Sequence, residues 1–91
     1  MALLIKPDGD QVVVRPQDGY FSLEEMYDYL ECGCVQIIAL HDGRLMWIDE
    51  EGKLKPHRIN PVATELLARA GGIPGDYIAG SALVTEISEI E

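Results

Sequence analysis

Positive charge is scarce in this chain: seven Lys and Arg stand against sixteen Asp and Glu, a formal charge of -9. A phosphate backbone would be repelled over most of such a surface, which excludes a general binder of nucleic-acid duplexes. Long hydrophobic runs are also missing; nothing approaches the ~20 apolar residues that span a bilayer. The amino end does not read as a signal peptide, because Met1-Ala2-Leu3-Leu4-Ile5 meets Lys6-Pro7-Asp8-Gly9 before a hydrophobic region develops. With two cysteines, one residue apart, the expectation is reduced, partly buried thiols in a cytosolic protein. Apolar residues are not scarce: at 47% they exclude disorder. In 91 residues there is room for one core, which buries roughly 60–65% of the unfolded surface.

Local signals divide the chain. Residues 2–6 and 11–15 read as two strands around the turn cluster Pro7-Asp8-Gly9-Asp10, most simply a hairpin. Ser22 with Glu25 forms a capping box, and Phe21 with Met26 a hydrophobic staple, so a helix is expected over 22–31. Its buried stripe is Leu23, Met26, Tyr27 and Leu30, its acidic face Glu24, Glu25, Asp28 and Glu31, and Gly33 ends it. Residues 35–40 and 44–49 flank His41-Asp42-Gly43 as a second hairpin, whose two turn residues are expected at positive φ. Glu50-Glu51-Gly52 is a turn, after which Lys53-Leu54-Lys55 is expected to pair briefly as an edge. Asn60 caps a second helix with Pro61 at its first position, Val62, Ala63, Leu66, Leu67 and Ala70 as its apolar stripe, and Gly71-Gly72 and Pro74 as its stop. Residues 77–85 read as a last strand interrupted by Gly80, and 86–91 as an acidic end that frays.

The order β-β-α-β-β-(β)-α-β predicts one α+β domain over residues 1–91, a two-layer sandwich with a mostly antiparallel sheet and both helices on one face. Strands 35–40 and 44–49 are apolar at nearly every position. With both helices on one side, the other face is expected to meet a second subunit, so a homo-oligomer, most simply a dimer, is predicted.

Few residues suggest chemistry. Cys32 and Cys34 with His41 and His57 could supply four zinc ligands, but the spacing matches no standard zinc motif. A catalytic thiol needs an electropositive setting, whereas Asp28 and Glu31 lie nearby. Both cysteines are therefore expected to be dispensable. Asp49-Glu50-Glu51 lacks the alternating ligands of a calcium loop. There is no phosphate-cradling glycine loop, Ser-His-Asp set or His-Glu-x-x-His motif, and no enzyme, metal or cofactor is expected. Against the acidic background, Lys53, Lys55, His57 and Arg58 fall within six residues free of acid, directly before the Asn60-capped helix. A helix start favours an anion, so these five residues are the candidate ligand site. The plainer alternative is that the cations pair with Asp49-Glu50-Glu51 or with an acidic tail.

Three segments carry a family resemblance. Residues 45–54, Leu-Met-Trp-Ile-Asp-Glu-Glu-Gly-Lys-Leu, resemble a strand followed by acidic-acidic-Gly-Lys-Leu. Asn60-Pro61-Val62-Ala63-Thr64 is similar to an Asn-x-x-Ala-Thr element, and Gly75-Asp76-Tyr77-Ile78-Ala79-Gly80 to a closing Gly-Asp-x-Ile-x-Gly. Together, over roughly residues 2–84, they resemble the family catalogued as domain of unknown function 3846, small proteins found mostly in bacteriophages, prophages and mobile elements. The family's usual Gly-Gly pair after the first helix is here only Gly33. The resemblance implies an accessory protein of the host cytoplasm and supplies no activity. By analogy with small phage proteins, two readings follow. One is an oligomeric sponge that sequesters a nucleotide-like anionic ligand near residues 53–60, against host defence. The other is a protein-interaction module, a DNA mimic among the options, that inhibits a host protein through its acidic surface.

Overall fold

A computed structural model of the chain describes residues 2–73 and 75–90. Its strands are β1 (Ala2–Ile5), β2 (Gln11–Val14), β3 (Val35–Ala39), β4 (Leu45–Asp49) and β5 (Ala82–Thr85); its helices are α1 (Leu23–Leu30) and α2 (Pro61–Arg69). All pairings are antiparallel, in the order β2-β1-β5-β4-β3. The α+β class read from the sequence is the one found.

The two hairpins share one turn. Lys6 N–H donates to the Asp10 carbonyl at 2.8 Å and Gly9 N–H to Lys6 at 3.0 Å; Leu40 N–H donates to Arg44 at 2.9 Å and Gly43 N–H to Leu40 at 3.1 Å. In each, only the glycine takes a positive φ, 95° at Gly9 and 89° at Gly43. The expectation of two positive-φ residues in the second turn is therefore corrected: the three-residue loop leaves Asp42 outside that region.

Helix α1 starts as expected. Ser22 Oγ accepts from Glu25 N–H at 3.1 Å, and Glu25 Oε1 accepts from Ser22 N–H at 3.3 Å. Phe21 and Met26 are buried together. The helix ends at Leu30, three residues before Gly33, and its C-cap Glu31 takes the left-handed region at φ 53°. Leu23, expected in the buried stripe, is exposed, while Tyr29 packs against the core. Helix α2 has the predicted Asn60 cap; the Pro74 stop lies outside the described residues.

The layering differs from the sequence expectation. Met26 and Leu30 of α1 pack with Ala2, Leu4, Trp47 and Leu83. Ala63, Val62, Leu66 and Leu67 of α2 pack with Leu3, Ile5, Met46, Ile48, Ala82 and Val84. Successive strand residues point to opposite faces, so the two helices cover opposite sides of the sheet. The two-layer arrangement with both helices on one face is corrected to three layers. The strands are apolar at both parities because each face has its own helix, and the bare face assigned to a second subunit does not exist.

Two shorter expectations also change. Lys53-Leu54-Lys55 is no edge strand; Gly52–Leu54 is a 3-10 turn. Within 77–85 only Ala82–Thr85 is a strand, preceded by a single bridge between Ile59 and Ala79. The acidic end folds back as far as Ile90: Phe21 N–H donates to the Glu89 carbonyl at 2.7 Å, and Glu89 is buried. Glu91 lies outside the described residues.

Candidate functional site

Strand β4 ends on Asp49, whose side chain is sealed at the rim of the sheet. The 3-10 turn that follows reverses the chain, and Gly52 permits it: a Cβ there would meet the Ala79 carbonyl oxygen at 2.5 Å. The reversal returns Lys55 and His57 to Asp49. Lys55 Nζ donates to Oδ2 at 2.8 Å, and Glu51 N–H donates to Oδ1 at 2.9 Å. His57 Nε2 lies 3.4 Å from the same Oδ2 but without hydrogen-bond alignment, and is a buried nitrogen with no hydrogen-bond partner among the described residues. Burial alone would raise the Asp49 carboxyl; the Lys55 and Glu51 hydrogen bonds outweigh it and hold the group below the usual carboxylate range. The same contact raises the Lys55 ammonium. Lys53 turns the other way, onto Asp76 and over the Tyr77 ring at 4.8 Å from its centroid. The Asp76 carboxyl is lowered by Lys53 and by the Tyr77 N–H.

Asn60 is fully buried and all of its side-chain groups are used. Its Nδ2 donates to the carbonyls of Ile5 at 2.9 Å and Gly80 at 3.0 Å, and its Oδ1 accepts from Ala63 N–H at 3.1 Å. Thr64 N–H bonds the Asn60 carbonyl, Thr64 Oγ1 accepts from Ile78 N–H, and Asn60 N–H bonds Ile78. The start of α2 is thus largely satisfied from within, with Pro61 contributing no N–H.

The five residues expected to hold an anion are therefore distributed. Lys55 and His57 gather on Asp49, Lys53 lies on Asp76, Asn60 is a buried cap, and Arg58 alone presents an unpaired cation. Pairing with Asp49, the plainer alternative, is what Lys55 does, with His57 packed beside it. The three segments that carry the family resemblance meet here: Gly52 against Ala79, Lys53 on Asp76, and Asn60 and Thr64 bonded to Ile78 and Gly80. Their shared work is structural, and nothing local in any one of them shows that they touch.

Arg58 lies beside a cleft of about 500 Å³ between the end of α1, the β1–β2 turn and the start of β5, lined also by Lys6, Asp8, Asp28, Tyr29, Glu31 and Ser81. Sequence reasoning missed Lys6, Tyr29 and Ser81. Lys6 reaches this cleft because β1 pairs with β5, in the register Ile5 to Ala82, and Arg58 because its carbonyl accepts from Gly80 N–H at 2.9 Å. Among the described residues, Arg44, Lys53, Lys55 and Arg69 stand in ion pairs, while Lys6, Arg15 and Arg58 have none. Two of those three cations thus share one cleft, facing the carboxylates of Asp8, Asp28 and Glu31.

Both cysteines are free thiols, Cys32 half-buried and Cys34 exposed. Burial, and then Asp49, push the Cys32 thiol up, away from the thiolate. His41 sits in the β3–β4 turn, at the opposite end of β4 from Asp49 and His57, so the four zinc-type residues are not brought together. Among the described residues no three His, Cys, Asp or Glu side chains are placed to hold a metal ion, and no helix is long and apolar enough to cross a membrane.

Comparison with protein-family models gives a match over residues 1–91 to Domain of unknown function (DUF3846). Comparisons with curated proteins and with solved structures give no match.

Proposed function

The chain belongs to that family, whose description assigns no activity, and from the geometry of the site we propose that it is a non-catalytic binding protein whose cleft at Lys6 and Arg58 holds a small nucleotide-like anion. The observation that carries this reading is the placing of two unpaired cations in one cleft of a chain with a net charge of -9. Unpaired cations draw an anion more than paired ones such as Lys53 and Lys55 do, so a phosphate would have to sit at the Lys6 and Arg58 end of the cleft, away from the carboxylates of Asp8, Asp28 and Glu31. A guanidinium can grip two phosphate oxygens while an ammonium adds a point charge. Tyr29 adds an aromatic ring to the lining of the cleft, and Asp28 and Glu31 offer acceptors for the amino groups of a base. A cleft of this volume suits a ligand of that size. A ligand held and not converted is sequestered; in a host cytoplasm, where the phage resemblance would place the chain, sequestering a nucleotide signal would oppose host defence.

A thermal-shift panel of mono-, di- and cyclic nucleotides tests the reading. At least one should raise the melting temperature, less so as salt rises, because exposed charge is screened over about 8–10 Å near physiological ionic strength. Lys6→Glu/Arg58→Glu should abolish the shift, and Lys53→Gln should leave it in place. If no nucleotide shifts the transition, or the double variant responds equally, the proposal fails and the protein-interaction reading through the acidic surface takes its place.

A further inference from the structure

Strand β3 closes one side of the sheet and, among the described residues, pairs only with β4. Its outer edge is unprotected. The sequence Val35-Gln36-Ile37-Ile38-Ala39 has no charge and no proline, the usual devices that keep an edge from pairing. Gln36, Ile37 and Ala39 are exposed, Ile37 to 51%.

Two hydrogen bonds fix which backbone groups look outward. Leu40 N–H donates to Arg44 at one end of the β3–β4 ladder, and Glu50 N–H donates to Cys34 at the other. An antiparallel ladder alternates bonded and non-bonded residue pairs. With Cys34 and Leu40 facing β4, Gln36 and Ile38 face it too, and Val35, Ile37 and Ala39 turn their N–H and C=O groups away from the sheet.

We propose that the edge of β3 is the interface for a second copy of this chain, joined by antiparallel pairing about a two-fold axis through Ile37. In that register Ile37 meets its own copy, and Val35 meets Ala39 in both directions. All three outward residues find an outward residue opposite, for about six backbone hydrogen bonds, and a two-fold axis normal to the sheet keeps like faces together. The exposed Ile37 side chains pack on each other across the axis. Charge favours this edge for self-pairing. Two copies at -9 each repel over most orientations, but the flanking pairs, Cys34 with Leu40 and Gly33 with His41, bring no two carboxylates together. The opposite edge, β2, is four residues long and offers fewer outward groups.

Light scattering at ~100 μM, where a small interface is occupied, tests the pairing together with amide exchange. The expected mass is about twice the 10.1 kDa of the chain, with exchange at Val35, Ile37 and Ala39 slowed at least ~10-fold relative to a dilute sample. Ile37→Lys places two ammonium groups on the axis, and Ile37→Pro removes the outward N–H without touching the β4 ladder. Each should give a folded monomer with the wild-type circular dichroism spectrum. A wild-type monomer at that concentration overturns the proposal, as does a dimer in which those three amides exchange freely or the Gln11 and Val13 amides are slowed instead. Persistence of the dimer in folded Ile37→Lys also overturns it. If neither variant folds, the wild-type mass and amide pattern decide alone.

Discussion

With its side chain sealed from solvent, Asn60 caps α2 through Oδ1 and ties that helix to β1 and to Gly80 through Nδ2. Asn60→Ala removes a cap worth about 1 kcal/mol and leaves the Ile5 and Gly80 carbonyls unpaired, at about 1–3 kcal/mol more. Urea denaturation should show a loss of about 2–4 kcal/mol. Asn60→Asp should lose at least as much, because a carboxylate oxygen would then face the two carbonyls. Asp49 makes a second prediction, in pH. Its folded pKa lies below the unfolded value of about 3.9. Its stabilisation is therefore complete above that value and is lost as pH falls through the folded one. Urea midpoints measured from pH 6 down to about pH 2 should fall steeply below about pH 4. Asp49→Asn should be less stable at pH 6 and show a shallower fall. The cluster around Lys55 was only half legible in the sequence. The cations stand out as a run free of acid, but their partners Asp49 and Asp76 are set by a chain reversal and a distant loop.

At the scale of elements, most starts were readable and most ends less so. Capping uses residues within three positions of each other, so Ser22 with Glu25 and Asn60 with Ala63 declare themselves locally. The end of α1 depends on where the chain must turn toward β3, and it takes Glu31 into a conformation that the sequence assigns to Gly33. That position yields a third prediction. An L-residue in the left-handed region is strained, and a carboxylate at a helix C-terminus meets the negative end of the dipole. Glu31→Gly should therefore stabilise the protein, by about 0.5–1 kcal/mol, read as a rise in the thermal midpoint with the far-UV spectrum unchanged. The short run Lys53–Lys55 misled for a related reason. Alternating Lys-Leu-Lys suits an edge strand, but Leu54 is 84% exposed, and the close approach of Gly52 to Ala79 bends the segment into a turn.

For the whole molecule, the sign that two layers were too few was present in the strands. Ala2, Leu4, Trp47 and Leu83 lie on one parity, Leu3, Ile5, Met46, Ile48 and Val84 on the other, and both sets are apolar. Such strands need cover on each side, and the chain has two amphipathic helices to supply it. What the sequence does not contain is the side on which each connection crosses; that follows from how α1 leaves one hairpin and α2 the other. The cleft at Lys6 and Arg58 belongs to this scale too. It exists because the first and last strands are neighbours, a pairing with no local signature.

Strand β5 has a kinetic consequence. It sits between β1 and β4, all four of its residues are buried, and among the described residues it alone joins the β1–β2 and β3–β4 hairpins in the sheet. Until Ala82–Thr85 has been synthesised, a nascent chain can close each hairpin yet cannot join them, and each keeps an open edge. Completing the sheet pairs Leu3–Ile5 with Ala82–Val84, segments nearly a whole sequence apart, a contact that closes slowly. Insertion of β5 is then expected to limit folding. Leu83→Ala should slow refolding more than it speeds unfolding, whereas Met26→Ala in α1 should act mainly on unfolding. Stopped-flow chevrons of the two variants would show the contrast, and a Leu83→Ala variant altering only the unfolding limb would place the barrier elsewhere.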